Sequence, residues 1–179
     1  QITKIENIDH LINLNSLTLD YNEITDISGL DTLKNLAHLN LSSNQITVIQ
    51  GLNNLVNLTS LDLYSNQIVV LENLDNQANV RHLNLRNNKI TKIEGLDGLK
   101  KLEALFLRHN FIKKIENLEG LVEMTGLEIE DNEIELIENL DNIPKLRGVS
   151  MRNNKTANYK KENLAELVRL GEKGIKIEC

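Results

Sequence analysis

One asparagine returns every 22 residues through most of this chain, and this period constrains the fold more than any other feature. The seven positions are Asn22, Asn44, Asn66, Asn88, Asn110, Asn132 and Asn154. Apolar residues precede each one at fixed distances and follow all but the last, as with Leu105, Leu107, Ile112 and Ile115 around Asn110. A repeated apolar frame of this length predicts a solenoid, in which each unit buries its apolar side only by stacking on its neighbours.

Each repeat combines a strand pattern with a turn pattern. Leu39, Asn40 and Leu41 alternate apolar and polar, which predicts a short parallel strand with every second side chain pointing inward. The apolar residues that follow recur at three-residue steps. A helical stripe needs both three- and four-residue steps, so this spacing favours 3₁₀-like or irregular turns on the opposite, convex side. We expect little α-helix before residue 158.

The repeated asparagine has a structural explanation. Where each strand ends, the chain turns inward and leaves backbone donors and acceptors that cannot stay unpaired once buried. An amide side chain can both donate and accept hydrogen bonds. We therefore predict that this column belongs to the scaffold and is not a binding site.

The third complete repeat departs from the pattern. Gln77 stands where Leu33 stands in the first, and Val80 replaces a further leucine. We expect a looser convex side there, with Ala78 filling part of the space. The alternative is that the polar substitution marks a contact with a partner.

The repeat pattern stops after Asn154, and residues 158–179 form a different unit. The apolar residues of this unit follow helical spacing and then alternate as in a strand: Leu164, Leu167 and Val168, then Ile175 and Ile177. Asn158 is the predicted helix N-cap and Gly171 the predicted helix end. We therefore predict two parts. Residues 1–157 hold a partial first unit and seven units of 22 residues, and residues 158–179 form a helix–strand cap over the end of the core.

Composition narrows the range of partners and compartments. The net charge of −6 argues against nucleic-acid binding, which normally requires a basic face. No apolar run approaches the roughly 20 residues that span a bilayer, so we expect no membrane insertion. Cys179 is the only cysteine, which rules out an intrachain disulfide, and no signal peptide is visible after Gln1. These features favour a cytoplasmic or nuclear location, with secretion as the alternative.

The outward positions of the predicted strands contain the candidate binding residues. Only 3% of the residues are aromatic, yet three aromatic residues fall at these positions, together with arginines and carboxylates. Aromatic and arginine side chains supply much of the energy of protein interfaces. The predicted partner-binding residues are Tyr21, Asp62, Tyr64, Arg86, Phe106, Arg108, His109, Glu128, Glu130 and Arg152. Phe106 is the foremost of these, because a phenylalanine exposed on a sheet is costly unless something covers it. The alternative is that these side chains pair with each other, as Arg108 would with Glu130.

No pattern of catalytic residues is present. The sequence contains no Cys-His cluster, phosphate-binding glycine loop or nucleophile elbow. His38 and His82 share a column but lie two strands apart, roughly 10 Å by strand spacing, which is too far for one zinc ion. We predict no enzyme activity, no catalytic residues, no metal site and no cofactor.

The frame L-x-L-x-x-N-x-I-x-x-I-x-x-L, best seen in LEALFLRHNFIKKIENLEGL, resembles the 22-residue subclass of leucine-rich repeats. That subclass is typified by the leucine-rich regulatory subunit of protein phosphatase 1, and the resemblance covers residues 1 to about 155. It implies an α/β solenoid with a curved parallel sheet on its concave face, where a protein partner binds. The resemblance also implies that the binding positions are those held here by Asp62, Tyr64, Phe106, Glu128 and Glu130. The familiar cap of the subclass, with its Asn-Pro start and Leu-Pro close, is absent here.

Three functions are compatible with these patterns. The first is a monomeric, non-catalytic interaction module, with a Ser/Thr phosphatase catalytic subunit as candidate partner. The second is an extracellular adhesin of the internalin type. Internalin repeats commonly carry Ser-Pro after the second isoleucine, whereas this chain has Pro144 as its single proline, which favours an intracellular protein. The third is a rigid structural arm of a larger protein.

Overall fold

The computed structural model describes residues 1–155 and 161–179 as one eight-stranded parallel sheet with one helix. The strands lie side by side in chain order from β1 to β8. They are β1 Ser16–Thr18, β2 His38–Asn40, β3 Ser60–Asp62, β4 His82–Asn84, β5 Ala104–Phe106, β6 Gly126–Glu128, β7 Gly148–Ser150 and β8 Lys176–Glu178, with helix α1 at Lys161–Glu172 before β8. The parallel-sheet solenoid predicted from the period is confirmed.

The register of the sheet follows the sequence period. From β1 to β7 each strand pairs with residues 22 positions away, so that Leu39 lies beside Leu61. The last pair differs, since Val149 of β7 lies beside Ile177 of β8. The hydrogen-bond ladder continues past the assigned strands, since the Leu41 N–H donates to the Asp62 carbonyl at 2.8 Å. Leu39, Leu41 and Leu61 are at most 2% exposed. The alternation therefore places the leucine columns inside and the columns between them on the concave face, as predicted.

Turns of three residues form the convex side. The Leu33 N–H donates to the Leu30 carbonyl, and the Leu36 N–H donates to the Leu33 carbonyl, both at 3.0 Å. These bonds are of the 3₁₀ type, but each closes a separate turn. Within residues 1–155 no α-helix forms. The three-residue apolar spacing of the sequence is explained by these turns, because each one returns an apolar side chain to the core.

The repeated asparagines bridge successive repeats. The Asn110 Nδ2 donates to the carbonyls of Leu85 and Leu107, both at 3.0 Å. Its Oδ1 accepts a hydrogen bond from the Ile90 N–H at 2.9 Å. Asn110 is 4% exposed. One side chain thus satisfies buried backbone groups in two repeats, which confirms the scaffold role.

A second repeated position was not recognised in the sequence. Its members, all with positive φ, are Asn7, Gly29, Gly51, Asn73, Gly95, Asn117 and Asn139. At Gly51 an added Cβ would lie 2.0 Å from the Ile27 carbonyl oxygen. At Asn117 the side-chain amide donates to the corresponding carbonyl, that of Ile93, at 2.7 Å. Only a glycine, or an asparagine that bonds this carbonyl, suits the left-handed backbone here.

Gln77 is packed inside the solenoid rather than in a loose surface region. It is fully buried, as is Val80. The Gln77 Nε2 donates to the Leu52 carbonyl at 2.7 Å, while its Oε1 has no hydrogen-bond partner among the described residues. Ala78 is exposed and fills none of the core. The expectation of a loose convex side filled by Ala78 is therefore wrong, because the glutamine itself occupies the leucine site.

We predict that Gln77→Leu raises the free energy of unfolding by about 1 to 2 kcal/mol, since it removes a buried acceptor that has no partner. The Leu52 carbonyl keeps its hydrogen bond from the Leu55 N–H at 2.8 Å. Urea unfolding monitored by circular dichroism would measure the change. Leu55→Gln, the reverse substitution one repeat earlier, should lower stability. Equal or lower stability of the leucine variant would show that Oε1 is satisfied in solution.

The C-terminal unit forms a helix and a strand as predicted, but two details differ. The predicted N-cap, Asn158, lies outside the described residues. Helix α1 continues through Gly171, and the residue in the left-handed conformation is Gly174, with φ of 76°. The Gly174 N–H donates to the Gly171 carbonyl at 2.9 Å and the Ile175 N–H donates to the Leu170 carbonyl at 3.1 Å. This pair of bonds is a Schellman motif, which explains why the helix ends later than predicted.

Helix α1 does not bury all of its predicted apolar residues. Leu164 is 50% exposed and Val168 63% exposed, whereas Leu170 is fully buried. Asn163 takes a core position, accepting from the Ile137 N–H at 2.9 Å through Oδ1.

Within residues 1–155 and 161–179 no helix is long and apolar enough to cross a bilayer.

Candidate functional site

The concave face is built from the outward positions of the eight strands. Every strand contributes the two residues that flank its inward central residue, and β1 to β7 are each followed by further residues before the repeated asparagine. Corresponding side chains of neighbouring strands lie about 4.8 Å apart. The face therefore consists of columns of side chains. Each repeat contributes one residue to every column, and this residue either has the same chemical character as its neighbour or differs from it.

An arginine, a phenylalanine and a glutamate from three successive strands form one cluster. Arg86 follows β4, Phe106 ends β5 and Glu128 ends β6. The Arg86 Nε and Nη2 donate to the two carboxylate oxygens of Glu128, both at 2.6 Å. The same guanidinium lies over the Phe106 ring, 4.3 Å from the ring centroid. Hydrogen bonding to Glu128 raises the pKa of the Arg86 guanidinium.

Phe106 is therefore not openly exposed, which differs from the prediction. It is half-buried, and Arg86 covers one of its faces. A cation over an aromatic ring is attracted by the electrons of the ring face. The ring is thus covered by a side chain of the same protein, and the contacts among the three side chains restrict their conformations.

A second charged cluster lies beside the first. The Arg108 Nε is 2.8 Å from Asp131 Oδ2 and 3.4 Å from a Glu130 oxygen. The predicted Arg108–Glu130 pair exists, with Asp131 as the closer partner. A hydrogen bond from Asn153, reinforced by Arg108, lowers the pKa of Asp131. His109 approaches the same carboxylate at 3.5 Å. The lowered pKa keeps Asp131 ionised at neutral pH, so its ion pair with Arg108 stabilises the folded state there. This stabilisation is lost as the pH falls through the pKa of Asp131.

Seven of the ten predicted residues line one depression of about 540 Å³. They are Tyr64, Arg86, Arg108, His109, Glu128, Glu130 and Arg152. Phe106 borders a neighbouring groove together with Glu128. Asp62 lies on a separate part of the face, where it accepts hydrogen bonds from Asn84 at 3.1 Å and from the Tyr64 N–H at 2.9 Å. Tyr21, 74% exposed with φ of 54°, stands apart in the first complete repeat.

Two features of the surface were missed in the sequence. Phe111 is 49% exposed and follows the buried Asn110, outside the columns that were considered. The residue before the inward central residue of each strand also faces the concave side, and in β5, β6 and β7 it is Ala104, Gly126 and Gly148. Strand alternation alone could have identified this column, because residues on both sides of an inward leucine point outward.

The described residues contain no group of three or more His, Cys, Asp or Glu side chains that could hold a metal ion. Chemically, the concave face offers ion pairs, aromatic surface and hydrogen-bonding groups.

Comparison with known proteins supports the repeat assignment. The family model described as leucine-rich repeats in two copies matches residues 34–76 and 78–120. No curated protein matches the sequence significantly.

Several solved structures resemble the chain. Internalin C2 from Listeria monocytogenes is 34% identical, with a TM-score of 0.80 over 86% of this chain and 68% of that one. An internalin (inlF) from the same species is 29% identical, with a TM-score of 0.76 over 85% of this chain. A chain of the Toll–Spatzle complex from Drosophila is 25% identical, with a TM-score of 0.72 over 82% of this chain. The present chain spans 45% of the inlF chain and 23% of the Drosophila chain.

Proposed function

Because this chain belongs to the leucine-rich repeat proteins, which are generally non-catalytic interaction modules, we propose that it binds a protein partner through its concave face and performs no catalysis. The binding surface is the depression lined by Tyr64, Arg86, Arg108 and their neighbours, with Phe106 at its border. One of the similar structures is itself a protein–protein complex.

The observation that carries this proposal is the preorganised Arg86–Phe106–Glu128 cluster. Arginine and aromatic side chains are the usual hot spots of interfaces. Here the long arginine side chain is already held by two hydrogen bonds and a ring contact. A partner therefore meets side chains whose rotamers are fixed, and less conformational entropy is lost on binding.

The charge pattern favours a partner of mixed charge. Basic Arg86 and Arg108 alternate with acidic Glu128 and Glu130 around the depression, while the whole chain carries a net charge of −6. Such an arrangement provides specificity through complementary charges. A polyanion such as nucleic acid would gain little from it, because each arginine already has a carboxylate partner.

Alanine substitution of the two phenylalanines tests the concave face. Phe106→Ala should weaken partner binding by about 2 kcal/mol, roughly thirtyfold in Kd, if the ring belongs to a hot spot. Phe111→Ala is the matched control, since it removes the same side chain from outside the columns. Proteins captured from a lysate of the source organism by the parent and by each variant would be identified by mass spectrometry, and the Kd of the recovered partner measured by calorimetry.

The result expected is a partner retained by the parent and by Phe111→Ala, weakened by Phe106→Ala and weakened further by adding Tyr64→Ala. Circular dichroism would verify that every variant is folded. A partner that binds all variants equally would place the interface elsewhere and overturn the concave-face proposal. Loss with Phe111→Ala alone would move the interface to the flank of the solenoid.

A Ser/Thr phosphatase catalytic subunit is the partner that the 22-residue repeat pattern suggests, and it would place the chain in the cytoplasm or nucleus. Titration of a purified catalytic subunit with the parent and the Phe106→Ala variant tests this directly. No binding at micromolar concentration would remove the phosphatase assignment while leaving the concave-face proposal intact.

Adhesion of the internalin type is the second candidate function. The similarity to internalin C2, at 34% identity, favours it. Binding of the purified chain to the surface of cultured cells, compared with binding of the Phe106→Ala variant, would test it. Capture of an intracellular protein together with an absence of cell-surface binding would argue against adhesion.

A further inference from the structure

A shallow apolar groove of about 240 Å³ lies on the concave face beside the depression. Its floor is formed by Ala104, Gly126 and Gly148, the outward residues that begin β5, β6 and β7. Phe106 and Glu128 border one side. Lys176 and Glu178 of β8 close the far end. The groove exists because three successive strands carry a very small residue where β2 and β4 carry histidine.

The two glycines of the floor have no explanation within the fold. Neither has a positive φ. A Cβ added at Gly126 would meet no atom within 4 Å, and at Gly148 it would meet only the Lys176 carbonyl oxygen, at an ordinary 3.7 Å. Gly51 differs, because an added Cβ there would lie 2.0 Å from a carbonyl oxygen. Glycine weakens a strand and often marks a place where another molecule approaches the backbone closely.

An exposed arginine that forms no ion pair among the described residues directly precedes Gly148 of the groove floor. Five of the six arginines, Arg81, Arg86, Arg108, Arg152 and Arg169, form ion pairs with carboxylates. Arg147, the residue before Gly148, is exposed and has no carboxylate within 4.0 Å among residues 1–155 and 161–179. The acids at the rim are already engaged, Glu128 by Arg86 and Glu178 by Lys176 at 2.8 Å. The charge that remains to be neutralised here is positive.

We infer that the groove over Gly126 and Gly148 receives an apolar side chain of an extended acidic segment of a protein partner, with a carboxylate of that segment reaching Arg147. This inference rests on the proposed protein-binding function and specifies one part of its site. The missing Cβ atoms let the partner's side chain reach the sheet backbone and remove apolar surface from water. The carboxylate supplies the complementary charge.

Filling the groove tests the inference without removing any contact of the fold. The groove-filled variant carries Gly126→Val and Gly148→Val, and valine favours strands, so its melting temperature should equal or exceed that of the parent. Ser60→Val is the matched control, because it lies at the same position of β3, outside the groove. A random dodecapeptide library displayed on phage would be selected against the parent. The Kd of each enriched synthetic peptide would then be measured by fluorescence polarisation with all variants, Arg147→Glu included.

We expect enriched peptides to combine an apolar residue with a nearby Asp or Glu. Their affinity should fall about tenfold or more in the groove-filled variant and severalfold in Arg147→Glu, and stay unchanged in Ser60→Val. Equal affinity for the parent and the groove-filled variant would overturn the inference, as would a selection that enriches no such peptide. A parent dimer that the groove-filled variant cannot form would also overturn it, by assigning the groove to a second copy.

The same measurements separate this inference from the proposed function. Peptides that lose affinity with Tyr64→Ala but not in the groove-filled variant would support the concave-face function and overturn the assignment of the groove as a binding site. Peptides insensitive to both substitutions would overturn both.

Discussion

Asn110→Ala should lower the free energy of unfolding by about 3 kcal/mol, because it leaves the buried Ile90 N–H without a partner and weakens the hydrogen bonding of two buried carbonyls. The Ile90 N–H would lose its acceptor. The carbonyls of Leu85 and Leu107 would each lose one donor and keep a second, the amide of Asn88 at 3.1 Å and that of Asn132 at 2.9 Å. Alanine also leaves part of the amide's volume empty. Since the lost bonds join two repeats, the damage should spread to the packing of one repeat on the next.

Urea unfolding monitored by circular dichroism would measure this change. Asn53→Ala is the matched control, since Asn53 is an exposed asparagine of the convex side, and its loss should alter stability by less than about 0.5 kcal/mol. If Asn110→Ala unfolds at the same denaturant concentration as the parent, the asparagine does not bridge the repeats as described.

Gly51→Ala should also lower the free energy of unfolding by about 3 kcal/mol, from two effects that add. The backbone at Gly51 has φ of 69°, which disfavours any residue with a Cβ. The new Cβ would in addition lie 2.0 Å from the Ile27 carbonyl oxygen, so the two repeats would have to move apart.

Gly126→Ala is the control that separates the effect of the left-handed backbone from the effect of losing a glycine. It makes the same substitution in a strand with open space around the new Cβ, and it should leave stability unchanged or raise it slightly. Thermal unfolding of both variants by differential scanning calorimetry would give the comparison. Similar losses in both would show that loss of a glycine, rather than its left-handed backbone, lowers the stability of this solenoid.

The fold could be predicted from local spacing because every element repeats within one period. The leucines at alternate positions produce strands whatever the partner strand contributes, and the three-residue steps produce turns. A buried polar residue that recurs at the end of each strand must satisfy backbone groups, so the role of Asn110 followed from chemistry alone. The solenoid, its parallel sheet and the C-terminal helix and strand were therefore predictable.

The positions of individual side chains were less predictable, because they depend on neighbours in other repeats. Arg86 reaches Glu128 across 42 residues of sequence and over the ring of Phe106, so exposure of that ring could not be judged from its own strand. Gly174 rather than Gly171 ends helix α1, because Ile175 packs into the core beyond it.

In this protein the amino-acid sequence alone decided the architecture and the asparagine column, since both arise from interactions repeated at a fixed spacing. Only the tertiary structure decided which concave-face charges pair with each other and that the small residues in β5, β6 and β7 open a groove next to Phe106 and Glu128. The physical reason is that ion pairs and cavities depend on the orientations of side chains from several repeats at once, whereas each strand and turn forms within one repeat.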